Sequence, residues 1–218
     1  MKCFYMNTVP LQDDQNALAI RSVILWKERL ETADRMKRKE DRALQLGASY
    51  LLSRLLPECS GNKEVFLMHP PVLGTGEHGK PFLKTEPDLY FNLSHSGTYA
   101  ALSIGSFPNG IDIEHHRRNH RKIAERFFTE EEASAIEKAS DSTDLFLRIW
   151  TRKEAYLKMT GDGLTKEMNS FRVYPEAPEG FRFYELALPS EAVCDYRIAA
   201  CCRTEELFEG FREITLRF

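Results

Sequence analysis

The sequence predicts an α+β fold, short sheets packed with helices, and three stretches carry the prediction. Residues 99–104 form a near-continuous apolar run, as in a strand covered on both faces. Gly110, Ile111, Asp112, Ile113 and Glu114 alternate apolar and acidic side chains, the period of a strand that puts Asp112 and Glu114 on one face and buries Ile111 and Ile113 on the other. Over residues 144–159, Phe146, Ile149, Trp150 and Leu157 recur at helical spacing before Gly161, a C-terminal stop. The turn at residues 107–110 is a natural seam. It divides the chain into residues 1–107 and 108–218, each reading as helices plus a short sheet, with no internal sequence repeat to relate them.

In chain order, residues 2–8 read as a first strand, ending before Pro10 and the turn-forming Asp13 and Asp14. Residues 15–30 are helical, with Leu18, Val23, Leu25 and Trp26 among the apolar members. A second helix covers residues 32–56, charged first and amphipathic later, until Pro57 stops it. Gly47 inside that helix costs up to ~1 kcal/mol against Ala, which points to close packing or close ligand approach. Residues 65–68 read as a strand, 70–84 as a Gly- and Pro-rich loop, and 92–97 as a turn. Thr129 with Glu132 makes a capping box, opening a helix that runs to about Ala139. Strands follow at residues 170–174, 181–188, 196–203 and 214–218.

At 218 residues the chain can bury a substantial core. A net charge of -3 argues against general nucleic-acid binding, which needs a basic excess. Basic residues are nonetheless concentrated at 29–42 and 115–122, clusters that suit phosphates or an acidic protein partner. The five cysteines (Cys3, Cys59, Cys194, Cys201 and Cys202) have no paired spacing, so reduced thiols in a cytoplasmic protein are expected, without structural zinc. No long apolar segment opens the sequence and no run of eighteen apolar residues occurs, so neither a standard secretion signal nor a membrane span is expected.

The chemistry-bearing residues gather in few places. If the helix of residues 144–159 packs beside the strand of Asp112 and Glu114, then Glu154 and Lys158, close to one helical stripe, bring a third carboxylate and an ammonium to the two acids. Three acids gathered without enough cations are costly, and a divalent ion is the usual remedy; an all-oxygen donor set points to magnesium or manganese rather than zinc. Each pattern alone has a plainer reading, a half-exposed strand or a surface i,i+4 ion pair worth only ~0.3–0.5 kcal/mol. Lys80, followed by Pro81, is presented from a stiff turn that suits gripping an anion or nucleotide. Ser94 and His95, with Gly97 and backbone N–H groups, read as a phosphate cradle. A nucleophilic Ser-His dyad is the rival, but neighbours on an extended chain point to opposite sides. The other histidines lack metal-ligand spacing and read as surface residues.

One ordered set of motifs runs through Gly79, Lys80 and Pro81; Phe91, Asn92, Leu93, Ser94, His95, Ser96 and Gly97; Gly110 to Glu114; Phe127, Phe128, Thr129, Glu131 and Glu132; Trp150, Thr151, Arg152, Lys153, Glu154 and Lys158; and Gly161, Asp162, Gly163 and Leu164. In this order and spacing, over roughly residues 20–205, the chain resembles the 4'-phosphopantetheinyl transferases of the Sfp type. The resemblance implies an internally duplicated α+β fold of two pseudo-symmetric halves, the second carrying the metal ligands. It implies Mg²⁺-dependent transfer of phosphopantetheine from coenzyme A to a serine of an acyl or peptidyl carrier protein, releasing adenosine 3',5'-bisphosphate. Asp112, Glu114 and Glu154 are then the expected metal ligands. Lys80, Ser94, His95 and Lys158 are expected to hold coenzyme A, with Arg29 and Arg42 from the basic segment and Arg35 and Lys37 as substitutes. Glu154, or alternatively Lys158, is expected to take the serine proton. A chain carrying both halves is expected to work as a monomer. Two other classes compete: a metal-dependent pyrophosphatase or phosphodiesterase using the same acids on water, and a non-catalytic binding module, which would not need all three acids.

Overall fold

The computed structural model describes residues 1–76, 78–115, 120–161, 163, 167–188 and 196–216. Its strands are β1 (Lys2–Asn7), β2 (Leu73–Thr75), β3 (Pro81–Leu83), β4 (Tyr90–Ser96), β5 (Tyr99–Gly105), β6 (Asn109–His115), β7 (Phe181–Leu188), β8 (Tyr196–Arg203) and β9 (Phe211–Glu213). The α-helices are α1 (Asp14–Ile20), α2 (Lys27–Asp34), α3 (Lys39–Cys59), α4 (Lys63–Met68), α5 (His120–Phe127), α6 (Glu130–Lys138) and α7 (Ser142–Thr160). The α+β class holds: several small sheets pack against helices.

The first sheet runs β4-β5-β1-β9 and the second β6-β8-β7, with β2 and β3 a separate hairpin. Helix α3 covers the first sheet, and Leu46, Leu51, Leu52 and Leu56 fill its core with Met6, Phe91 and Leu102. Gly47 lies on this face because a Cβ there would fall 2.5 Å from Thr8 Cγ2; close packing, not ligand approach, explains it. The second sheet is covered on both faces. Ile111, Ile113, Ile198 and Ala200 pack with Cys3 and Ala101 of the first sheet, while Ala199 and Cys201 face Ala155 and Met159 of α7. The acids of β6 lie opposite the isoleucines, so the alternation read from the sequence is realised, with Asp112 and Glu114 buried rather than solvated.

Several expected elements differ. The helix expected over residues 15–30 is broken into α1, a 3-10 turn Arg21–Val23 and α2. The next helix starts later, at Lys39, and runs through Pro57 to Cys59; a proline in the last turn removes one N–H without ending the helix. Residues 65–68 belong to α4, where the Asn62 side chain caps Val65 N; a short apolar run does not separate strand from helix. The expected strand at 170–174 is a 3-10 turn, Met168–Ser170, followed by irregular chain. Its backbone is satisfied by buried side chains instead of a ladder: Lys153 Nζ donates to Met168 O and Phe171 O, Arg152 Nη1 donates to Val173 O, and Glu132 Oε1 accepts from Val173 N. The last strand is β9, three residues earlier than expected, lying parallel to β1 in the first sheet. Among the described residues no helix is long and apolar enough to cross a membrane.

Candidate active site

The site forms where the edge of the first sheet meets the edge of the second, under α7. Residues 92–97, expected as a turn, are strand β4 up to Ser96; the turn is confined to Gly97, at φ 57°, and Thr98. The polar residues of β4 that suggested a loop are there because they replace a ladder between β4 and β6. Asn92 Oδ1 accepts from Ile111 N at 2.8 Å and Ser94 Oγ from Ile113 N at 3.4 Å. Ser94 Oγ donates to Asp112 Oδ1 at 2.9 Å, and Ser96 Oγ to Glu114 Oε2 at 2.6 Å. Asn92, Ser94 and Ser96, two apart, therefore lock both acids in place. Ser94 is buried and His95, its neighbour, is exposed, as the opposite faces of an extended chain require. The Ser94 hydroxyl serves Asp112 rather than the imidazole.

Helix α7 supplies the other wall. Its closeness to β6 depends on Gly110, where a Cβ would fall 2.0 Å from Ala155 O and 2.7 Å from Met159 N. Lys158 Nζ then reaches Asp112 Oδ1 at 2.7 Å, Ser94 Oγ at 2.9 Å and Ile111 O at 3.3 Å. Burial is the largest influence on Asp112 and pushes its carboxyl up, against the pull of Lys158; Glu114 adds to the rise. Asp112, Glu114, Glu154 and Lys158 line one cleft of about 730 Å³ together with Ser94, His95, Arg126, Phe127, Trp150, Glu167, Met168 and Asn169. The Lys158 side chain is also shared by two smaller recesses. One of about 310 Å³ is bounded by Arg29, Gln45, Ala48, Leu93 and His95. The other, of about 300 Å³, is bounded by Gly79, Lys80, Asn92, Glu154 and Gly161. A 740 Å³ hollow between α3 and β9 is as large as the cleft, but Lys2, Arg54, Glu58, Glu209 and Arg212 give it mixed surface charge and no convergence of acids.

The basic residues separate. Arg29 lies in the recess beside His95, its Nε donating to Ser49 Oγ at 2.9 Å; burial pulls it to about 10, still a cation at neutral pH. His95 is open to the cleft yet walled by protein, and desolvation, then Lys158, holds its imidazole below the ordinary value. Arg42 pairs with Asp14 at 3.1 Å and lines none of the three cavities. Arg35 and Lys37 are exposed, Arg35 donating to Thr32 Oγ1. Lys80 donates to three backbone carbonyls, Asn109 O, Lys158 O and Met159 O. In the second basic cluster Arg121 and Lys122 are exposed on α5, whereas Arg117 and Arg118 lie outside the described residues, as do Cys194, Asp162 and Leu164.

A family model for the 4'-phosphopantetheinyl transferase superfamily matches residues 108–201, the stretch from β6 into β8 that holds the three acids and α7. The 4'-phosphopantetheinyl transferase psf-1 of Bacillus pumilus is 30% identical over 177 residues, 78% of this chain and 73% of that protein. The chain belongs to the 4'-phosphopantetheinyl transferase superfamily. A Bacillus subtilis 4'-phosphopantetheinyl transferase is 33% identical over 63% of this chain, and 4'-phosphopantetheinyl transferase Sfp of Bacillus subtilis strain 168 is 40% identical over 45% of it. The chain spans 65% and 45% of the lengths of these two relatives.

The donor set fits the divalent ion such a transferase implies. Among the described residues Asp112 Oδ2 has no hydrogen-bond partner, an orphaned buried oxygen on a residue that lines the cleft with Glu114. Among the described residues no three His, Cys, Asp or Glu side chains are close enough to enclose a metal on their own. Magnesium does not require a full protein cage, because it usually takes one or two carboxylates and completes its shell with substrate phosphate and water. Sequence reasoning missed Asn92 and Ser96, and the buried pair of Lys153 and Glu132 at 2.8 Å, both fully covered. The signal for Asn92 and Ser96 was present in their two-residue spacing around Ser94; nothing in the sequence paired Lys153 of α7 with Glu132 of the preceding helix α6.

Proposed function

We propose that the protein transfers 4'-phosphopantetheine from coenzyme A to a serine of an acyl or peptidyl carrier protein, releasing adenosine 3',5'-bisphosphate. The observation that carries the reading is the single cleft in which Asp112, Glu114, Glu154 and Lys158 meet, with one Asp112 oxygen left without a partner among the described residues. The serine Oγ forms a bond to the β-phosphorus of the pyrophosphate as the bond to the bridging oxygen breaks, and the serine proton leaves to a base. Such chemistry asks mainly for positioning and neutralised charge. Asp112 and Glu114 would hold Mg²⁺, or Mn²⁺, with Glu154 of the same cleft joining directly or through bound water, and the ion would polarise the phosphoryl oxygens. Lys158 places its positive charge between the cleft and both recesses, where it offsets phosphate charge at longer range, and His95 and Arg29 contact phosphates directly. Lys158 Nζ is already engaged by Asp112, Ser94 and Ile111 O, which favours Glu154 as the base. The carrier enters over α5, where Arg121, Lys122 and Arg126 offer positive charge beside the cleft.

The same acids would serve a pyrophosphatase; membership of the superfamily favours transfer. The reading is tested by Glu154→Gln and Asp112→Asn in a transfer assay. Both keep shape and remove charge, so each is expected to lower kcat/KM by at least ~100-fold, with Mn²⁺ partly restoring Asp112→Asn. Wild-type-like transfer by either variant at ordinary Mg²⁺ would sink the assignment.

A further inference from the structure

We infer that Lys80 is a positioning residue that pins the end of α7 to the start of β6, not a ligand of the phosphates. The inference rests on the transfer reading for its kinetic arm only. Lys80 precedes β3 in the hairpin with β2, a turn closed by Gly76 N donating to Lys80 O at 2.8 Å, with Gly79 at φ 83°. The turn aims the side chain at the C-terminus of α7. There Gly161, at φ 81°, caps the helix and its N–H returns to Leu157 O, which leaves the carbonyls of the final residues without helical donors. Lys80 Nζ takes two of them, Lys158 O at 2.5 Å and Met159 O at 3.5 Å, and adds Asn109 O at 3.1 Å.

An ammonium has three N–H donors, and here three carbonyls accept them, so none is left for an anion. No carboxylate pairs with Lys80 among the described residues. The negative end of the α7 dipole is a fitting place for this charge. Two of these carbonyls also have a role in the site's geometry. Asn109 begins the strand that carries Asp112 and Glu114, and Lys158 O belongs to the turn after Glu154. One ammonium therefore ties together the two elements whose separation sets the spacing of the acids. Gly110 lets the helix approach, and Lys80 holds it there.

The test compares Lys80→Met with His95→Ala, the proposed phosphate contact, using the full chain, coenzyme A and an apo carrier protein. Lys80→Met is expected to lower kcat at least ~10-fold with less than ~2-fold change in KM for coenzyme A, while His95→Ala does the reverse. Coenzyme A binding measured by calorimetry without divalent ion should change less than ~2-fold in Lys80→Met. Hydrogen exchange supplies a readout independent of activity: the amides of Thr160 and Gly161 should exchange at least ~10-fold faster once the last turn is released. A merely structural defect would lower the melting temperature without this local change and without the split between kcat and KM. If Lys80→Met does not fold, Lys80→Gln, which keeps a donor, is expected to show the same pattern at smaller amplitude. Weakened coenzyme A binding with kcat and exchange unchanged would overturn the inference, as would a variant unchanged in all three. A wild-type protein that transfers nothing would instead overturn the transfer reading and leave the exchange arm standing.

Discussion

Lys153→Met is expected to destabilise the protein by about 3–5 kcal/mol, the usual cost of breaking a buried ion pair from one side. Lys153 and Glu132 are both fully covered and 2.8 Å apart. The ammonium also donates to Met168 O at 2.7 Å and Phe171 O at 2.5 Å, and Phe171 lies under it at 4.5 Å. Methionine fills the volume but leaves the Glu132 carboxylate and two carbonyls in an apolar setting. In a chain of this length the loss corresponds to roughly 6–20 °C in melting temperature. Combining it with Glu132→Leu removes the stranded charge, so the double variant is expected to be more stable than Lys153→Met alone. Calorimetric melting of the variants checks both statements, and equal stability of Lys153→Met and the wild type would contradict them. Activity should fall as well, because residues 167–169 line the cleft and this pair holds that segment to α6 and α7.

Gly110→Ala is expected to be the most damaging change to activity for its size. The added methyl would lie 2.0 Å from Ala155 O and 2.7 Å from Met159 N, backbone atoms of α7 that cannot rotate away. The helix must retreat by about an ångström or more, which costs ~1–3 kcal/mol as overpacking. It also carries Glu154 and Lys158 away from Asp112, and a displacement of ~1 Å is enough for ~100-fold in rate. The kinetic loss should exceed the stability loss. A variant with near-normal kcat/KM at 25 °C would mean that the gap between α7 and β6 does not set the site.

What the sequence made legible follows from periodicity. The alternation of residues 110–114 announced β6 and the shared face of its acids, and the helical spacing through Trp150 and Leu157 announced α7. The capping box of Thr129 and Glu132 is realised with both hydrogen bonds. The failures lie where polar residues are buried by partners far along the chain. Asn92, Ser94 and Ser96 read as a turn because nothing local shows that β6 will accept them. Residues 170–174 read as a strand because their backbone partners, Lys153, Arg152 and Glu132, come from two helices. The carbonyl partners of Lys80 were likewise hidden, because the helix end to which it donates is almost eighty residues on.

The measurement closest to the central claim is intact-mass analysis of an apo carrier protein incubated with this protein, coenzyme A and Mg²⁺. Addition of one phosphopantetheine, about 340 Da by covalent composition, is the expected result, abolished by a chelator and by Glu154→Gln. A carrier of unchanged mass, with or without hydrolysis of coenzyme A, would contradict it.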